Sequence, residues 1–173
     1  MLEIIEVLKY TLPALIVFFT SYLLIKSFLQ NDQRIKKFDL IYKNEQYILP
    51  VRMQAYERLV LFLERISPES LLMRADRQGI NSQQLHTELL SIIRAEFEHN
   101  LSQQIYVSKE SWEVIKNARS NLINIINMSA KSIEPESPSV KLSQTILEAI
   151  IENENSPTDV AIDFIKKEIK ELF

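Results

Sequence analysis

A single glycine, Gly79, serves all 173 residues of this chain. Glycine normally makes up about 7% of a protein, and it supplies the positive-φ positions on which hairpins, bulges and phosphate-cradling loops depend. One glycine therefore excludes a Rossmann or P-loop nucleotide site and disfavours a strand-rich fold. The expectation is an all-α fold. With 46% hydrophobic and 25% charged residues, the chain has the composition of an ordered protein, and its length suits one domain with an appendage. The absence of cysteine removes disulfides, thiolate catalysis and Cys-ligated zinc or iron–sulfur centres. A net charge of −3 argues against nucleic-acid binding through a basic surface.

The sixteen residues from Tyr10 to Ile25, between Lys9 and Lys26, carry no charge. A helix needs about 20 apolar residues to cross about 30 Å of hydrocarbon. Here Val7, Leu8, Phe28 and Leu29 lengthen the stretch, and the lysines at its ends can snorkel to the surface. Tyr10 and Tyr22 stand where an aromatic belt belongs, with Phe18 and Phe19 between them. Pro13 is tolerated if the helix begins near Thr11. A cleaved signal peptide would need a basic start and a small-x-small site, but the first eight residues carry Glu3 and Glu6 with no Lys or Arg. The pattern predicts a transmembrane anchor over residues 1–29 with a core span of 10–25. Residues 26–43 carry a net charge of +3, so the positive-inside bias places the N-terminus outside and the remainder in the cytoplasm.

Residues 30–49 are predicted as a helical juxtamembrane stalk. Phe28, Ile35, Phe38 and Ile41–Tyr42 form its stripe, and a short parallel coiled coil along it is left open. Leu49-Pro50 is expected to break the helix, with Pro50 opening a cytoplasmic α-helical domain, residues 50–173, of five to six amphipathic helices. These are placed at about 51–66, 68–74, 82–101, 109–132, 139–154 and 158–172. Their inward stripes include Tyr56, Leu59 and Leu63; Leu85, Leu89 and Ile93; Trp112, Ile115 and Leu122; Leu142 and Ile146; and Val160, Ala161, Phe164 and Ile165. Gly79 is read as a stop and turn, Asn81 or Ser82 and Thr158 as helix caps, and Glu134–Pro138 as the clearest loop.

Chemistry-bearing patterns are few. Glu96 and His99 form a Glu-x-x-His pair of the kind found in carboxylate-bridged metal bundles, but only two histidines exist and a second pair is missing. They are weak metal candidates, and a local hydrogen bond between them is the plainer reading. No Gly-x-Ser-x-Gly elbow is available to a hydrolase. Arg52, Arg58, Arg65 and Arg74, interspersed with Glu57, Glu64 and Glu69, form either a solvated face, an interhelical ion-pair network or a partner surface. No catalytic residue, cofactor or small-molecule substrate is assigned.

The string Gln54-Ala-Tyr-Glu-Arg-Leu-Val-Leu-Phe-Leu-Glu-Arg-Ile-Ser-Pro-Glu-Ser-Leu-Leu72, followed by Glu96-Phe-Glu-His-Asn-Leu-Ser-Gln-Gln-Ile-Tyr-Val107, resembles a family of small membrane-anchored helical proteins of Bacteroidota with no assigned function. That resemblance covers nearly the whole chain and implies the architecture without implying an active site. With the bacterial inner membrane that the resemblance implies, the functional expectation is a non-enzymatic, single-pass scaffold, adaptor or accessory subunit that contacts the bilayer and one or more protein partners. The alternatives are a self-assembling membrane homo-oligomer and a metalloprotein or enzyme centred on Glu96 and His99.

Overall fold

The computed structural model describes the backbone of residues 2–75, 79–152 and 155–172, with the side chains of 2–14, 34, 37–45 and 172 outside the description. Among the described residues the regular structure is helical, apart from one isolated bridge between Asn81 and Pro138. The helices are α1 (Leu2–Arg65), α2 (Pro68–Ala75), α3 (Ser82–Asn100), α4 (Lys109–Lys131), α5 (Ser139–Glu152) and α6 (Pro157–Leu172), with a 3₁₀ turn at Leu101–Ile105 between α3 and α4. The chain divides into two units, Met1–Leu49 and Pro50–Phe173.

The first unit is helical throughout its described backbone. Its apolar side chains from Leu15 to Leu29 are exposed, among them Phe18 at 68%, Phe19 at 62% and Tyr22 at 54%. Lys26 is exposed as well. Tyr10 and Pro13 fall among the side chains outside the description. Among the described residues no helix is long and apolar enough to cross a membrane. The predicted span 10–25 begins within those undescribed side chains.

The expected break at Leu49-Pro50 does not occur, because the backbone is helical on both sides of Pro50 and α1 continues to Arg65. Proline removes one backbone donor and crowds the preceding turn, which weakens a helix without always ending it.

In the second unit, α4 packs against α3, α5 and α6, while α3 also meets α2 and α5. The core joins Tyr56, Leu59, Phe62, Leu63 and Ile66 of α1 to Leu71, Leu85, Leu89, Ile93, Trp112, Ile115, Leu122, Ile126, Leu142, Ile146, Ala161, Ile162 and Ile165. Phe62 is buried although the stripe reading passed over it. On α6 the buried face runs through Thr158, Ala161, Ile162 and Ile165, so Val160 stays 55% exposed and Phe164 37%. Phe97 ties the aromatic part of the core together, with Phe62 at 5.9 Å and a stacked Trp112 at 5.6 Å between ring centroids. The Arg119 guanidinium lies 3.9 Å from the Phe97 centroid, a cation–π contact.

Capping follows local chemistry. The Asn81 side chain accepts from the Gln84 backbone N–H, and the Gln84 side chain returns a bond to the Asn81 N–H, a complete capping box. Ser108 caps α4 by accepting from the Ser111 N–H at 3.0 Å. Thr158 lies inside the first turn of α6 rather than at its cap, and Ser156, just ahead of Pro157, accepts the Asp159 and Val160 N–H groups through its carbonyl.

The α4–α5 loop is built onto the start of α3. The Ser82 N–H donates to the Ser137 carbonyl at 2.8 Å, the Gln83 N–H to the Pro135 carbonyl at 3.1 Å, and the Asn81 amide to Glu136 at 3.0 Å. The two backbone bonds satisfy donors that a helix N-terminus leaves unpaired.

Gly79 has φ +87°, and a Cβ placed there would meet nothing within 4 Å. Gly79→Ala is therefore expected to destabilise by backbone strain alone, about 1 kcal/mol. Urea unfolding would show this as a lower midpoint with an unchanged slope.

Candidate functional site

Three polar or concave features stand out in the second unit. The first is a clasp around Glu168 of α6. Its carboxylate accepts hydrogen bonds from the Ser108 hydroxyl at 2.7 Å, from the Ser111 hydroxyl at 2.6 Å and from the Tyr56 phenol. Tyr56 and Ser111 are fully buried, so Glu168 supplies the acceptor that their hydroxyls need away from water. Burial by itself would push the Glu168 carboxyl up. The bonds from Ser111, Tyr56 and Ser108 and the charge of Arg52 outweigh it, holding the group below its ordinary 4.5. Burial, followed by the bond and charge of Glu168, moves the Tyr56 phenol above its ordinary 10.0. The result is an ionised carboxylate saturated by neutral hydroxyls, which fastens α6 to α1 and to the start of α4.

The second feature is a cleft of about 420 Å³ lined by Arg65, Arg74, Ile92, Ala95, Glu96 and His99. Arg74 reaches Glu96 at 3.0 Å and Arg65 reaches it at 3.3 Å, one guanidinium on each carboxylate oxygen. Arg74 also donates to the Arg65 carbonyl. The Glu96 side chain is 15% exposed, against 59% for Arg65. Glu96→Gln should destabilise by only about 0.5–1 kcal/mol, and the difference should shrink in about 1 M salt, as thermal unfolding at two ionic strengths would read.

The sequence-marked residues therefore go to separate places. Arg65 and Arg74 converge on Glu96, and Arg52 instead donates to the Tyr106 carbonyl at 3.2 Å. Arg58 is exposed. His99 shares the Glu96 cleft, but two guanidiniums occupy the carboxylate where a metal ion would have to sit. Among the described residues no group of three or more His, Asp or Glu side chains could hold a metal. His86 pairs with Asn127 at 2.8 Å.

The third feature is a groove of about 790 Å³ between α4 and α6. Val114, Ala118, Ile125, Val160 and Ala161 supply its apolar surface, and Asn117, Asn121 and Asn124 add amides from α4. Among the described residues no charged side chain lines it. Neither this groove nor the Glu168 clasp has a signature in the sequence. The asparagines read as an ordinary polar face, and Glu168 read as one charge in the run Lys166-Lys-Glu-Ile-Lys170.

Fold and sites together describe an all-α protein: a helical N-terminal unit, and a bundle at Pro50–Phe173 held by a carboxylate clasp. The chain belongs to a family of unknown function, DUF7935, whose pattern matches residues 2–172. No curated protein and no solved structure matches it.

Proposed function

We propose that this protein is a non-enzymatic, single-pass membrane scaffold whose helical unit at residues 50–173 holds a partner protein at the bilayer. The observation that carries the reading is the apolar surface of α1. From Leu15 to Leu29 its large apolar side chains are each at least half exposed, and they point to all sides of the helix. A helix apolar all round has to be covered by a protein core or by lipid. The uncharged run from Tyr10 to Ile25, bounded by Lys9 and Lys26, favours lipid. The basic excess after it favours an N-out, C-in orientation. The resemblance to membrane-anchored proteins of Bacteroidota supports the inner membrane as the site. The uncharged α4–α6 groove is a natural seat for a partner's apolar helix face.

Fractionation followed by native mass spectrometry of the gently extracted full-length protein tests the reading. The expected result is a protein that resists alkaline carbonate and leaves the membrane in a defined complex with another chain. Release by carbonate would overturn the anchor. Isolation without any other chain would overturn the adaptor role.

A further inference from the structure

We propose that Phe28, Ile35, Tyr42 and Leu49 form the seam of a parallel two-stranded coiled coil between two copies of this chain. The inference rests on the anchored-scaffold reading and names its partner along α1. The four residues recur every seven positions, the spacing at which a helix keeps one stripe against a like helix. Phe28 is 73% exposed, Ile35 53% and Leu49 39%, so the described members of the stripe are uncovered in the single chain. Tyr42 falls among the side chains outside the description. The next residues at the same spacing, Tyr56 and Leu63, are fully buried in the core of the second unit. One sequence register therefore has its C-terminal members covered by its own bundle and its N-terminal members exposed.

Charge placement selects a second copy as the cover. With the seam residues at position a of the heptad, Arg34 falls at g and Asp39 at e, five residues on. That is the spacing at which g of one helix faces e of its parallel partner, and a two-fold axis forms the pair twice. An antiparallel pair would instead oppose e with e, setting Asp39 against itself. Asp32, also at e, is already neutralised within its own helix by Lys36 at 2.7 Å. Phe38 falls at d and adds to the seam, whereas Asn31 and Glu45, also at d, weaken it. Three heptads with two polar d positions are marginal in dilute solution. Anchoring both chains in one bilayer raises their effective concentration and fixes the parallel direction.

The chain has no cysteine, so single-cysteine variants of the full-length protein report the seam directly. Ile35→Cys and Leu49→Cys are placed on it, and Gln33→Cys and Tyr47→Cys on the opposite face. Each variant is oxidised in its own membrane and again after extraction. The seam variants should form disulfide dimers at least roughly tenfold faster than the others, because only Cα atoms within about 7 Å are bridged without backbone movement. Equal rates at all four positions, or no dimer at 35 and 49, would overturn the proposal.

Added to Leu49→Cys, either Arg34→Glu or Asp39→Lys should slow cross-linking about three- to tenfold, and the two together should restore it. Failure of the exchange to restore it would overturn the parallel register. A protein found outside the membrane that still cross-links at 35 and 49 would remove the anchor and leave the coil. A membrane-held protein without seam cross-links would do the reverse.

Discussion

Glu168→Ala should lower the stability of the full-length protein by about 2–4 kcal/mol. The substitution leaves the hydroxyls of Tyr56 and Ser111 buried without their acceptor, and a buried unsatisfied group costs about 1–3 kcal/mol. The acid limb of the stability curve should respond as well. Because the folded state holds Glu168 below its ordinary 4.5, the charged clasp contributes fully above that pH. Its contribution is lost as the pH falls through the depressed folded value. The stability difference between the native protein and the variant should therefore be greatest near about pH 6 and should narrow towards about pH 3. Urea unfolding across that range measures it. A constant difference would mean that Glu168 acts only through packing.

The second large effect concerns the exposed apolar helix. Val17→Arg together with Phe18→Arg places two guanidiniums in the middle of the proposed span 10–25. At about 2.5–3.5 kcal/mol for each charge at a helix centre, insertion should weaken by about 5–7 kcal/mol. The double variant should move from the carbonate-resistant membrane pellet to the soluble or aggregated fraction, while Val17→Leu with Phe18→Leu should stay in the pellet. Circular dichroism should show the bundle at residues 50–173 still helical, since its core takes nothing from those positions. Retention of the arginine variant in the carbonate-washed membrane would contradict insertion of this segment.

The bundle was legible because its signals are local. The three- and four-residue spacings in Leu85–Leu89–Ile93 and in Trp112–Ile115–Ala118–Leu122 report a buried face directly, and Asn81 caps its helix through a neighbour three residues away. Pro50 does not stop the helix because proline's local preference for a first turn is outweighed by the helix that runs on both sides of it. The Glu168 clasp was invisible for a different reason. Its partners lie 57, 60 and 112 residues away, and nothing in the alternating charges around Glu168 separates it from a solvated acid. Val160 and Phe164 show the resolution of stripe reading on α6, where a rotation of one position moves a side chain from the core to the exposed face. The arginines were noticed, but their destinations were not, since a carboxylate 22 or 31 residues away decides where a guanidinium turns.

The docked α4–α5 loop bears on how the protein can be handled in cells. With two prolines and two acids, Glu134–Pro138 looks like the natural place to splice in a fluorescent reporter or an epitope. Yet its backbone carbonyls and the Glu136 carboxylate receive the first donors of α3, across more than fifty residues of chain. A reporter inserted there would uncap that helix from a distance.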